Sequence, residues 1–167
     1  MRKAVFLDRD GVINEDKGYV SKIENFVWCD GVFEALLELM ELGFSLFIVT
    51  NQSGIGRGYY TLSDFEQLNS YMLNEFSKRN IEIKKVYFCP HAPEQNCSCR
   101  KPSPQMILRA AGEFDIDLLN SILVGDKNSD IEAGKAAKVG RLFKIGDEFS
   151  SLKQIVNFLK NSKMWIF

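Results

Sequence analysis

Asp8 and Asp10 close the apolar run Ala4-Val5-Phe6-Leu7, and Gly11 follows them. Four apolar residues in a row, with Val and Phe among them, read as a buried strand. Carboxylates at the end of such a strand are costly to leave unpaired, so two of them point to a bound cation or to proton transfer. Side chains alternate along a strand, so positions two apart leave its end in the same direction. Gly11 lets the backbone turn sharply behind them. Two more polar groups follow the same plan, and a basic pair stands apart. Thr50-Asn51-Gln52-Ser53 comes after Leu46-Phe47-Ile48-Val49, Asp126-Lys127 comes after Ile122-Leu123-Val124-Gly125, and Arg100-Lys101 precedes Pro102.

Together these residues describe phosphoryl transfer. Asp8 is the expected nucleophile and a metal ligand, with Asp126 a second carboxylate for the same ion. Two carboxylates with carbonyl and water oxygens suit magnesium. Thr50 offers a hydroxyl and an N–H to a phosphoryl oxygen, and Lys101 a fixed positive charge. Asp10 would protonate the leaving alcohol and later take a proton from water. A carboxylate nucleophile makes an acyl phosphate, which splits one hard step into two. With Asp10 carrying its proton, magnesium and Lys101 outweigh Asp8 and Asp126 by one charge, which suits a phosphate dianion.

A second constellation is Cys89-x-His91-x5-Cys97-x-Cys99, which holds the only histidine of the chain. Three thiolates and an imidazole form a tetrahedral set for structural zinc, although the one-residue gaps are tighter than usual. The loop between them has no apolar periodicity and cannot offset its own ordering entropy, whereas a metal tying both ends can. With all four positions taken by protein groups, zinc would do no chemistry and would place Arg100 and Lys101. Cys29 is left over, as a small packed side chain.

The elements that must position these groups alternate. Strands are predicted over 4–7, 45–50, 85–89, 121–125 and 141–145, and helices over 32–42, 63–78, 104–114, 129–137 and 151–160. Ser63 and Glu66 would form the capping box of the second helix. The β-α alternation predicts an α/β fold, a three-layer Rossmann-like parallel sheet with helices on both faces, whose sites sit at the carboxyl ends of the strands. The 167 residues suit a single domain spanning 1–167, with the zinc loop at 89–99. A net charge of −1 gives no footprint for nucleic acid or an anionic membrane. No apolar run approaches a signal peptide or the roughly 20 residues of a membrane span. The expected setting is the cytoplasm, where thiols stay reduced, and the expected partner is a small molecule bound by a monomer. The final Met164-Trp165-Ile166-Phe167 would dock on the core or on a partner.

Asp8-Arg9-Asp10-Gly11-Val12-Ile13, Thr50-Asn51-Gln52-Ser53-Gly54, Arg100-Lys101-Pro102 and Gly125-Asp126-Lys127 with Asp130 resemble the four motifs of the haloacid dehalogenase (HAD) superfamily of phosphohydrolases. Within it, the chain resembles the branch that removes the C7 phosphate of D-glycero-D-manno-heptose 1,7-bisphosphate. The resemblance implies Asp8 as nucleophile, Asp10 as general acid and base, and Thr50 and Lys101 on the phosphoryl group. It places magnesium on Asp8, the Asp10 carbonyl and Asp126, with Lys127 adjacent. Asp16-Lys17-Gly18-Tyr19 and Asn51-Gln52-Ser53 match the substrate loops, and Arg100 the recognition arginine. Larger relatives cover the site with a cap domain; the gaps 11–44 and 90–100 are too short for one. The nearest alternative is a histidinol-phosphate phosphatase. A phospho-accepting signalling domain has no need of a general acid at position 10. A zinc-stabilised binding module without catalysis would tolerate loss of Asp8.

Overall fold

In the computed structural model, which describes residues 1–162, the first apolar run sits in the middle of the sheet. The 164–167 segment, whose docking the sequence left between core and partner, lies outside the described residues. The strands are β1 (Ala4–Leu7), β2 (Ser45–Asn51), β3 (Ile83–Cys89), β4 (Ile122–Gly125) and β5 (Arg141–Lys144). The helices are α1 (Val32–Glu41), α2 (Ser53–Gly56), α3 (Leu62–Ser77), α4 (Gln105–Phe114), α5 (Asn128–Ala136) and α6 (Leu152–Asn161). The five strands form one parallel sheet in the order β3-β2-β1-β4-β5, with Phe6 level with Phe47 on one side and Leu123 on the other.

Strand alternation builds two cores. Val5, Leu7, Leu46, Ile48, Ile122 and Val124 pack with Leu36 and Leu39 of α1, Leu68 and Met72 of α3, and Ile155 and Leu159 of α6. Ala4, Phe6, Phe47, Val49 and Leu123 pack on the opposite face with Met106 and Ile107 of α4 and Ala133 of α5. Each fully buried Leu, Ile or Phe contributes about 1.5–3 kcal/mol of burial. The three-layer expectation therefore holds, and among the described residues nothing folds over the strand ends as a cap. Cys29 is half-buried against the first core.

The capping box of α3 differs from the sequence reading. Thr61 Oγ1 accepts from the Asp64 N–H at 3.1 Å, and Asp64 Oδ2 accepts from the Thr61 N–H at 2.8 Å, so the helix starts at Leu62 and Ser63 lies inside it. Thr-x-x-Asp makes the same reciprocal pair two residues earlier, which leaves Ser63 and Glu66 with no terminus to cap. The short helix α2 was not expected, because two of its four residues are glycine. Tertiary contacts build it. The Gly56 N–H donates to the Pro90 carbonyl at 2.8 Å, and side chains at 54 and 56 would collide with Tyr60 and with the Ala92–Gln95 segment.

Candidate active site

The ends of β1, β2 and β4 and the loop that follows the cysteine segment meet around one cleft of about 330 Å³. β1 brings Asp8 and Asp10, β2 brings Asn51, and the start of α5 brings Asp130 to its wall, whereas Thr50 at the end of β2 and Asp126 after β4 lie beside it and do not line it. Asp8, Thr50, Gln52, Lys101 and Asp130 are buried. Lys101 comes from the loop between the cysteine segment and α4. Its ammonium donates to Asp8 Oδ1 at 3.1 Å, Asp130 Oδ1 at 2.5 Å and the Val49 carbonyl at 2.7 Å, so all three of its N–H groups are engaged.

Around the Lys101 ammonium, carboxylates outnumber cations, in the direction a divalent ion would correct. One oxygen each of Asp8, Asp126 and Asp130 lie within 4.8 Å of one another. Asp126 Oδ1 is buried with no hydrogen-bond donor. Burial pushes the Asp8 carboxyl up to about 7, against the pull of Lys101, and burial likewise raises Asp126, against Lys127. Burial alone would lower Lys101, but Asp8 and Asp130 hold it above the usual lysine value. Three carboxylates facing one ammonium suit a hard divalent ion with oxygen ligands. Asp130 also changes the charge tally, since its carboxylate cancels the excess positive charge that Asp8 and Asp126 alone would leave.

Asp10 has its own support. Arg9, itself buried, donates from Nη2 to both Asp10 oxygens at 3.0 and 3.2 Å and to the Val20 carbonyl at 2.8 Å. Asn14 Nδ2 donates to Asp10 Oδ1 at 2.9 Å. Neither Arg9 nor Asn14 had a role in the motif pattern; an arginine between two aspartates was the available signal for the first. The substrate-loop residues divide. Asp16, Gly18, Tyr19, Asn51, Gln52, Ser53, Arg100 and Lys127 line the cleft, as do Arg57 and Tyr60, whereas Lys17 is exposed and does not. Asp16 faces Lys127 at 3.6 Å, and Tyr19 meets Tyr59 edge-on with ring centres 4.8 Å apart.

At the end of β3, one ligand atom each of Cys89, His91, Cys97 and Cys99 lie within 4.8 Å of one another. Cys99 Sγ is 2.8 Å from Cys89 Sγ, and His91 Nδ1 is 3.3 Å from Cys99 Sγ. Cys97 is pulled down to about 6: burial would raise it, but the backbone N–H groups of Arg100 and Cys99 and the Cys89 thiol outweigh that. A converged donor set with one thiol ready to ionise can bind a metal.

Comparison with known proteins bears on this geometry. The sequence profile of the HAD-hydrolase-like family matches residues 98–143. A D-glycero-alpha-D-manno-heptose-1,7-bisphosphate 7-phosphatase of Campylobacter jejuni is 52% identical, over 95% of this chain and 96% of its own. The chain belongs to the heptose-bisphosphate phosphatase family of HAD-like hydrolases. The family is one of phosphomonoester hydrolases, and this member of it is an enzyme. A Helicobacter pylori phosphatase named for the beta anomer is 50% identical, over 98% of this chain and 90% of its own. The crystal structure of D,D-heptose 1,7-bisphosphate phosphatase from B. bronchiseptica, complexed with magnesium and phosphate, superimposes with a TM-score of 0.81 at 25% identity, covering 95% of this chain and 98% of that one.

Proposed function

We propose that this phosphatase removes the C7 phosphate of D-glycero-D-manno-heptose 1,7-bisphosphate through an aspartyl phosphate on Asp8. The observation that carries the reading is the buried triad of Asp8, Lys101 and Asp130 beside the donor-less oxygen of Asp126. Asp8 attacks phosphorus and the bond from phosphorus to the sugar oxygen breaks, with Asp10 giving that oxygen its proton. Water then attacks the acyl phosphate, Asp10 takes its proton, and Asp8 is released with inorganic phosphate. The Thr50 hydroxyl and the Lys101 ammonium hold the phosphoryl oxygens; Lys101 exchanges one of its three present bonds to do so. Asp8, Asp126 and the Asp10 carbonyl are the groups that would hold magnesium, with Lys127 adjacent. Bound there, it would offset charge on the transferring phosphoryl group.

Asp16, Gly18, Tyr19, Asn51, Gln52, Ser53 and Arg100 would face the sugar and its second phosphate. Lys17 would reach the substrate only by extending over the rim. Zinc on Cys89, His91, Cys97 and Cys99 would cross-link the loop that carries Arg100 and Lys101. Our reading is of a single-domain enzyme, active as a monomer, acting on a small molecule. Four free cysteines, and no helix among the described residues long and apolar enough to cross a membrane, fit a cytoplasmic setting.

The test is phosphate release from a panel of sugar mono- and bisphosphates that includes both anomers of the heptose, since the two relatives are named for opposite anomers. The expected result is fastest release, one phosphate per molecule, from a heptose 1,7-bisphosphate. Faster turnover of histidinol phosphate would overturn the substrate assignment.

A further inference from the structure

Tyr60 was invisible to the motif reading, yet it makes one of the shortest side-chain contacts near the cleft. Its hydroxyl donates to Gln52 Oε1 at 2.5 Å. Gln52 is buried on the strand-to-helix turn after β2, and its backbone N–H is tied to the Cys89 carbonyl at 2.8 Å. Its Nε2 points the other way. It donates to Thr50 Oγ1 at 2.9 Å and reaches Asp10 Oδ2 at 3.4 Å. The bare Cα of Gly54 makes room for the Tyr60 ring, since a side chain there would strike it.

The order of donors along this chain matters. A primary amide has one face that donates and one that accepts. With Oε1 held by the Tyr60 O–H, the donating face must meet Thr50 and Asp10. Thr50 Oγ1 then accepts from Gln52, so its own proton turns away from Gln52, toward the Asn51 carbonyl at 3.4 Å. A flipped amide would set an oxygen against the Asp10 carboxylate, acceptor to acceptor. Burial pushes the Tyr60 hydroxyl up to about 12, so it stays a donor across the working pH range.

We propose that Tyr60 is a positioning residue for the reaction: through the Gln52 amide, its O–H fixes the Asp10 carboxyl group and the orientation of the Thr50 hydroxyl. This rests on the phosphatase reading above, because it assigns work to Asp10 and Thr50 that only that reading gives them.

Tyr60→Phe keeps the ring on Gly54 and removes only the O–H. The readout is kcat/KM on two monoesters, the sugar phosphate and p-nitrophenyl phosphate. This ratio reports steps up to departure of the leaving group. A sugar alkoxide needs the proton of Asp10, whereas p-nitrophenolate leaves without one, so the aryl ester feels only the Thr50 part. The expected loss is about tenfold or more on the sugar phosphate and about threefold on the aryl ester, a fraction of what a general acid typically supplies. Gln52→Glu, which keeps the acceptor for Tyr60 but sets a carboxylate beside Asp10, should reproduce the substrate-selective loss. Adding Tyr60→Phe to Gln52→Ala should cost about twofold at most, because the relay is already cut. Equal losses on the two esters, no loss, or full additivity would overturn the proposal. Failure of the underlying reading looks different: an Asp8→Asn enzyme that still turns over both esters.

Discussion

Asn51 brackets the backbone of Lys101. Its Oδ1 accepts from the Lys101 N–H at 3.0 Å and its Nδ2 donates to the Lys101 carbonyl at 3.2 Å. A residue at the end of β2 thereby fixes a loop fifty positions away, and the ammonium of that loop then reaches Asp8 and Asp130. Asn51 lines the cleft as the family resemblance implied, but its side chain is already committed to protein. Asn51→Ala removes both bonds. It should lower kcat/KM about tenfold or more and cost about 1–3 kcal/mol in urea unfolding. In a Lys101→Ala background the same change should cost little further activity, which steady-state kinetics of the double variant would check.

Asp8→Asn should abolish turnover while the protein still folds. The change removes one of three clustered carboxylates and keeps the side-chain volume, so the metal-free melting temperature should hold or rise. Phosphate release and thermal melting measured on the same sample separate lost chemistry from lost fold.

The raised value of Asp8, about 7, has a sign that can be followed. A carboxyl group whose folded value exceeds its unfolded one favours folding while protonated. That contribution is full below about pH 4 and disappears as pH rises through about 7. The metal-free protein should therefore lose stability between pH 5 and pH 8 through this group. Magnesium, which favours the ionised form, should raise the melting temperature more at pH 8 than at pH 5. Melting curves with and without magnesium at the two pH values provide the check.

Cys97→Ser removes a donor from the four-group cluster. The variant should melt at a lower temperature, and its kcat/KM should fall through misplacement of Arg100 and Lys101. Asp8 chemistry on the residual bound substrate should persist. With magnesium kept in excess, a zinc-selective chelator should produce the same loss in the unaltered protein and none in the variant.

Gly11 and Gly43 share a backbone conformation, with φ of +89° and +88°. Space around Gly43 is open, whereas a side chain on Gly11 would run into the Asp126 carboxylate. Gly43→Ala should cost about 1 kcal/mol of stability, from backbone strain alone. Gly11→Ala should cost more and also reduce activity, because Asp126 must move. Unfolding and kinetics of the pair separate strain from displacement.

Strand ends were easy to read because β1 and β4 are buried on both faces, so their apolar runs stop abruptly at Asp8 and Asp126. The cysteine spacing was legible because ligand chemistry restricts which residues can serve. What escaped were pairings between positions far apart along the chain. Lys101 beside Pro102 gives no hint of Asp130, and Tyr60 in Gly58-Tyr59-Tyr60 looks like any turn aromatic until the fold lays it on Gln52. The start of α3 escaped for a different reason. Two overlapping cap signatures, Thr61 with Asp64 and Ser63 with Glu66, compete locally, and only the preceding turn decides between them.

Gly56 is bonded to Pro90 and lies so close to Ala92 and Gln95 that it has no space for a side chain. The α2 turn and the thiol-bearing segment are thus two halves of one moulding. An engineer who wished to transplant a longer segment from a relative would have to carry residues 53–60 along with it, since either half alone would arrive without its seat.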